Sequence, residues 1–167
     1  MLKPTSFLRG ILFLFVALLF VQCEKDESEP KASNTIKMDG NSFVVASASI
    51  VGVSIDNDGH TGITLVSGSG TQANTLTIDI ESVTKETIEG NYAYPKVNGK
   101  KLLDDWLTNY SVFDGTSISS SNLEYGEVTL SHNGGNNYTI DMSLKMDDGV
   151  TFIGEYTGEF KVMFNNQ

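Results

Sequence analysis

Between Tyr138 and Met146 polar and apolar side chains alternate without a break: Tyr138, Ile140, Met142, Leu144 and Met146 are apolar, and Thr139, Asp141, Ser143 and Lys145 separate them. Successive side chains on a strand point to opposite faces, so this pattern predicts a half-buried β-strand. Asp147-Asp148-Gly149 follows, and Asp-Gly accepts the positive φ angles of a tight hairpin. The returning strand carries Val150, Phe152, Gly154, Tyr156, Gly158, Phe160, Val162 and Phe164 on one face, with Thr151, Glu155, Thr157, Glu159 and Lys161 mainly on the other. Glycine at two of those core-facing positions predicts bends or close backbone approach, which lets a sheet curl.

The same period recurs upstream. Residues 127–131 read as a short strand, joined through His132, Asn133, Gly134, Gly135, Asn136 and Asn137 to the strand at Tyr138, so the C-terminal third is expected to be a three-stranded meander. Near the start, Ile36 and Met38 lead into an Asp39-Gly40-Asn41 turn, then a long run over 43–55, a turn at Asn57-Asp58-Gly59 and a strand over 62–67. A loop over 68–74 precedes Leu76, Ile78 and Ile80, which alternate with Thr75, Thr77, Asp79 and Glu81. The middle is less regular. Residues 87–94 read as an edge strand ending at Pro95, which cannot donate to a ladder. Residues 100–107 read as one or two helical turns or a loop, with Leu103 and Trp106 three apart, and 110–113 as a further strand. Short antiparallel strands with turn signals between them predict an all-β fold, an antiparallel β-sandwich or flattened barrel of about eight strands.

The first 22 residues have a different character. Lys3 and Arg9 precede eleven apolar residues at 11–21, the layout of a secretory signal peptide. Eleven helical residues cover only about 16 Å of a hydrocarbon core near 30 Å, so the run is an export signal and not a spanning helix. Phe20-Val21-Gln22-Cys23 follows and holds the only cysteine. It resembles the lipobox of bacterial lipoproteins, which implies acylation of Cys23 as the mature N-terminus and a membrane anchor of two or three acyl chains. Glu24, Lys25, Asp26 and Glu27 come next and resemble the export signal that sends Bacteroidota lipoproteins to the outside of the outer membrane; an ordinary charged tether is the alternative. The expected organisation is a signal peptide at 1–22, a lipidated and acidic flexible tether at 23–34, and one β domain at 35–167.

Charge excludes several partner classes. The net charge of −10 becomes −12 once Lys3 and Arg9 leave with the signal, and no arginine remains. Nucleic acid and anionic headgroups both need clustered basic residues, so neither is expected. A single cysteine also excludes a disulfide framework.

Candidate chemistry is sparse. His60 and His132 each read as turn residues; tight hairpins give a triad no pocket even with Asp56 or Asp58 beside His60, and a shared metal site requires the two turns to meet. Asp56-Asn57-Asp58-Gly59-His60 has oxygen ligands suited to calcium, but its glycine and its missing twelfth-position glutamate break the EF-hand pattern. Glu155 and Glu159 lie about 13 Å apart on one strand face, too far for a glycosidase pair. Asp79 and Glu81 stand near 7 Å, yet on the polar face of a strand, where desolvation is not expected to raise an acid's pKa. Asp104-Asp105 beside Trp106 resembles a sugar platform, or else starts a helix with Trp106 in the core. Neither catalytic residues, a metal nor a cofactor is expected. Tyr92, Tyr94, Trp106, Tyr110 and Phe113 concentrate aromatics in the irregular middle, and loops on a rigid scaffold carry function. They are the candidate contact residues for a ligand or partner.

Gly90-Asn91-Tyr92, Gly126-Glu127-Val128-Thr129-Leu130, Asn137-Tyr138-Thr139-Ile140 and the run Gly154-Glu155-Tyr156-Thr157-Gly158-Glu159-Phe160 resemble segments of small surface lipoproteins of Bacteroidota, of the Flavobacteria type, whose C-terminal all-β domain has no known function. The resemblance implies a fold and a location, lipid-anchored in the outer membrane and facing the exterior. The expected role is a non-catalytic binding or accessory module for an outer-membrane protein or an extracellular glycan. A lipocalin-like carrier of a small apolar ligand and a glycan-active enzyme are the alternatives, distinguished by an internal cavity and by turnover.

Overall fold

The computed structural model describes residues 32–55, 58–69, 71–81 and 84–164. Every regular element among them is a strand: β1 (Ser33–Asn34), β2 (Lys37–Met38), β3 (Asn41–Ser42), β4 (Val45–Ile55), β5 (Asp58–Ser69), β6 (Gln72–Ile80), β7 (Gly90–Tyr94), β8 (Lys101–Leu102), β9 (Asn109–Phe113), β10 (Ile118–Gly134), β11 (Asn137–Met146), β12 (Thr151–Glu159) and β13 (Lys161–Phe164). They form one hydrogen-bonded path, β13-β4-β5-β6-β9-β10-β11-β12-β2-β3, with β1 beside β12, β7 beside β10 and β8 beside β7. The sheet curls into a half-barrel, as expected for a sandwich or flattened barrel.

Two strands make the curl by changing partners along their length. The first five residues of β10 pair with β9, from Ile118↔Phe113 to Asn122↔Asn109, and the remainder pairs with β11. A register shift between Leu123 and Tyr125 marks the change, as bulges do where a strand turns a corner. The last strand behaves likewise: β12 pairs with β11, Phe160 intervenes, and β13 lies parallel to β4. The stretch from β12 to β13 therefore links the first strand of the path to a strand near its other end, beyond which only β2 and β3 lie.

The alternating apolar faces meet inside. Ile50, Ile63, Leu65, Leu76 and Ile78 from β4 to β6 join Tyr138, Ile140, Met142, Leu144 and Phe152 in one buried cluster. Phe152 receives ring edges from Phe43 at 5.5 Å and Tyr110 at 5.1 Å, and Phe160 packs against Tyr138 at 5.7 Å and Tyr156 at 5.5 Å. Each buried large apolar side chain contributes roughly 1.5–3 kcal/mol.

The meander β10-β11-β12 is as expected, and so is close backbone approach at Gly154, whereas at Gly158 it is a side chain that approaches. Gly154 has φ +129°, and a Cβ there would stand 2.6 Å from the carbonyl oxygen of Thr35. The Tyr156 side chain folds back over Gly158, leaving no room for a Cβ there. Residues 100–107, read as one or two helical turns or a loop, hold β8 followed by a single turn. Other expectations are corrected. The expected loops over 68–74 and 132–137 are largely strand, with pairing out to Ser69↔Gln72 and Gly134↔Asn137. Ser33 and Asn34, expected in the tether, form β1 against Thr157 and Tyr156. The Asn34 side chain fixes them by donating to the Phe43 carbonyl at 2.8 Å and accepting from the Ile36 N–H at 3.0 Å.

Candidate functional site

The end of β6 is covered by the turn at residues 103–108. Leu103 bridges to Ile80, the Asp104 N–H donates to the Asp79 carbonyl at 3.1 Å, and the buried Thr108 hydroxyl accepts from the Asp79 N–H at 3.0 Å. Within the turn, the Thr108 N–H donates to the Asp104 carbonyl at 3.0 Å. The Asp104 carboxylate accepts from the Leu107 N–H at 2.7 Å, as an N-cap side chain does. Asp104 thus does start a turn, but only one.

This cover buries Asp79, which is 6% exposed. Its Oδ1 lies 2.8 Å from His60 Nδ1 on the neighbouring β5, and one donor atom from each of His60, Asp79 and Asp104 falls within a 4.8 Å set. Burial pushes the Asp79 carboxyl above its ordinary range, outweighing the lowering effect of the His60 hydrogen bond, while Asp104 and Glu81 add to the rise. The same hydrogen bond raises the His60 imidazole, partly opposed by desolvation. The two side chains together hold a proton more firmly than either does in water. The expectation that Asp79 lies on a solvated face is therefore corrected. Nothing local marks its burial, because the cover comes from Thr108, 29 positions downstream.

The histidines are corrected as well. His60 is a strand residue opposite Val53, and His132 is one opposite Tyr138. His132 stacks on Tyr138 at 4.8 Å and contacts the Gly135 carbonyl at 2.9 Å; it is not part of the His60 cluster. Asp56 and Asn57, like Cys23, Glu24, Lys25, Asp26 and Glu27, lie outside the described residues.

The five candidate aromatics separate into three groups. Tyr92 and Tyr110 belong to the core, the Tyr92 hydroxyl donating to the Ile88 carbonyl and the Tyr110 hydroxyl to Asn74 Oδ1. Tyr92 is 0% and Tyr110 6% exposed, so both rings serve chiefly to fill the core. Phe113, 39% exposed, ends β9 opposite Ile118, about 13 Å along the strand from Asn109. Tyr94 is half-buried against the core on β7, with Asp105 beside it raising its pKa, and Trp106 follows Asp105 in the turn. Trp106 is 78% exposed and Leu107 beside it 40%, so Trp106 does not fill the core.

Grooves of about 330 and 410 Å³ lie elsewhere, sharing Asn136 and Val162, with charged residues such as Lys85, Glu159 and Lys161 in their walls. Comparison with protein-family models, with curated proteins and with solved structures finds no match for the chain.

Proposed function

We propose that this chain is a lipoprotein anchored through Cys23 in the outer membrane, facing the cell exterior, and that its β domain is a non-catalytic binding or accessory module. The observation that carries the reading is Trp106, held out at 78% exposure on a turn pinned to the sheet. Tryptophan offers a large, stiff contact surface and is enriched where partners bind most tightly. A turn already fixed in place loses little further freedom on binding. The acidic β domain, which holds no arginine, favours an outer-membrane protein or an extracellular glycan as partner, the indole face suiting either.

Two observations weigh against the alternatives. The interior is occupied by Phe43, Tyr92, Tyr138, Phe152 and Phe160, each at most 2% exposed, where a carrier needs space. Of the two acids of the turn, Asp104 is engaged structurally by the Leu107 N–H, where a glycosidase needs a poised pair.

Labelling of growing cells with a palmitate analogue, followed by protease treatment of intact cells, tests the anchor and its orientation. The expected result is label on the wild type, none on Cys23→Ser, and digestion without lysis. Label retained by Cys23→Ser, or full protection from protease, contradicts the proposal.

A further inference from the structure

We propose that His60, Asp79 and Asp104 form a divalent-cation site of the zinc class where β5, β6 and the turn 103–108 meet. The donor set is one imidazole nitrogen and two carboxylate oxygens, already within 4.8 Å of one another on three separate segments of chain. Zinc bonds such donors at about 2.0–2.2 Å, which places ligand atoms of a tetrahedral site roughly 3.4 Å apart. The 2.8 Å between His60 Nδ1 and Asp79 Oδ1 needs to open slightly and Asp104 to close by at most about 1.4 Å. Asp104 is partly exposed and sits on the turn, so that movement requires no repacking of the core.

Independent features support a cation here. Asp79 is a carboxylate nine-tenths buried, and buried carboxylates are paired with charge or ligate metal. Among the described residues its ion-pair partner is an imidazole that is charged only when protonated. Lys100 and Lys145 pair with Glu127 and Glu124 elsewhere. The donors are also oriented from behind: the Leu107 N–H holds Asp104, and Thr108 fixes the backbone of Asp79, the kind of support that ligands at metal sites receive. An imidazole donor and only three protein ligands favour zinc over calcium, which takes six to eight oxygens. The His60 side chain is 31% exposed, so a fourth position opens to solvent. A bound ion would clamp the turn that carries Trp106 onto β5 and β6, and the site stands whether or not Trp106 meets a partner.

The test is calorimetric titration of the chelator-stripped full-length chain in detergent with Zn²⁺, repeated with Co²⁺ and read by visible absorption. One equivalent of Zn²⁺ is expected, with Ca²⁺ failing to compete and Co²⁺ giving the intense bands of a tetrahedral site. Asp104→Asn keeps the acceptor for the Leu107 N–H and so keeps the turn, but is expected to weaken binding tenfold or more. His60→Gln is expected to do the same, and Asp141→Asn, exposed on β11, to change nothing. Absence of saturable uptake by the wild type overturns the proposal without recourse to any variant. So does binding that Asp104→Asn and Asp141→Asn leave equally intact, the behaviour of an acidic chain attracting ions at large.

Discussion

Phe152 is fully buried beneath two ring edges, and Phe152→Ala is expected to cost about 3–5 kcal/mol in urea denaturation. Trp106→Ala touches nothing in the core and is expected to stay within about 0.5 kcal/mol of wild type. Tyr138 differs from both. Its ring is buried, its hydroxyl has no hydrogen-bond partner among the described residues, and burial pushes its pKa up. Removing an unpaired buried hydroxyl relieves a desolvation cost, so Tyr138→Phe is expected to stabilise by about 1 kcal/mol in the same assay. Asp114 gives a pH-dependent case. Its carboxylate accepts from the Thr116 and Ser117 N–H groups at 2.9 and 2.8 Å and from both hydroxyls, which holds it well below the usual carboxylate range. A depressed carboxyl contributes stability that is present above the unfolded value near 3.8 and lost as pH falls through the folded one. Asp114→Asn is therefore expected to lower the thermal midpoint at pH 7 and to lower it less at pH 2.

Strands were legible wherever one face is dry and the other wet. β11 reads directly as Tyr138, Ile140, Met142, Leu144 and Met146, all buried, between residues that are not. The start of β10 was not legible, because Ile118, Ser119 and Ser120 are all exposed and Ser121 is buried; that order carries no apolar period, and the strand exists because β9 pairs with it. The His60–Asp79–Asp104 cluster was hidden for a related reason. Asp79 alternates with Ile78 and Ile80 as a solvated residue would, and only the distant turn at 103–108 makes its face dry. At the opposite edge, β1 and β2 depend on Gly154, over which Thr35 and Ile36 pass. Gly154→Val places a side chain at φ +129° against that backbone, a strain of roughly 1–3 kcal/mol before any contact is lost. Hydrogen exchange is expected to show the Thr35 and Phe43 amides deprotected while the β10–β11 ladder keeps its protection.

For the molecule as a whole, a curled all-β scaffold holds one turn rigidly at its surface. Strands β6, β8 and β9 converge on that turn, hydrogen bonds of Asp104 and Thr108 with the Asp79 backbone brace it, and Trp106 projects from it. The leader and the acidic segment after Cys23 supply the case for a membrane-tethered position, while the exposed indole supplies the case for a partner. Site-specific photocrosslinking in intact cells joins the two most directly. A photoreactive phenylalanine analogue is placed at position 106 and, as a control, at Ile153, which is 58% exposed on β12. The account predicts a discrete adduct with an outer-membrane protein or surface glycan from position 106 and none from 153. Adducts of equal yield from both positions, or none from 106, would contradict it.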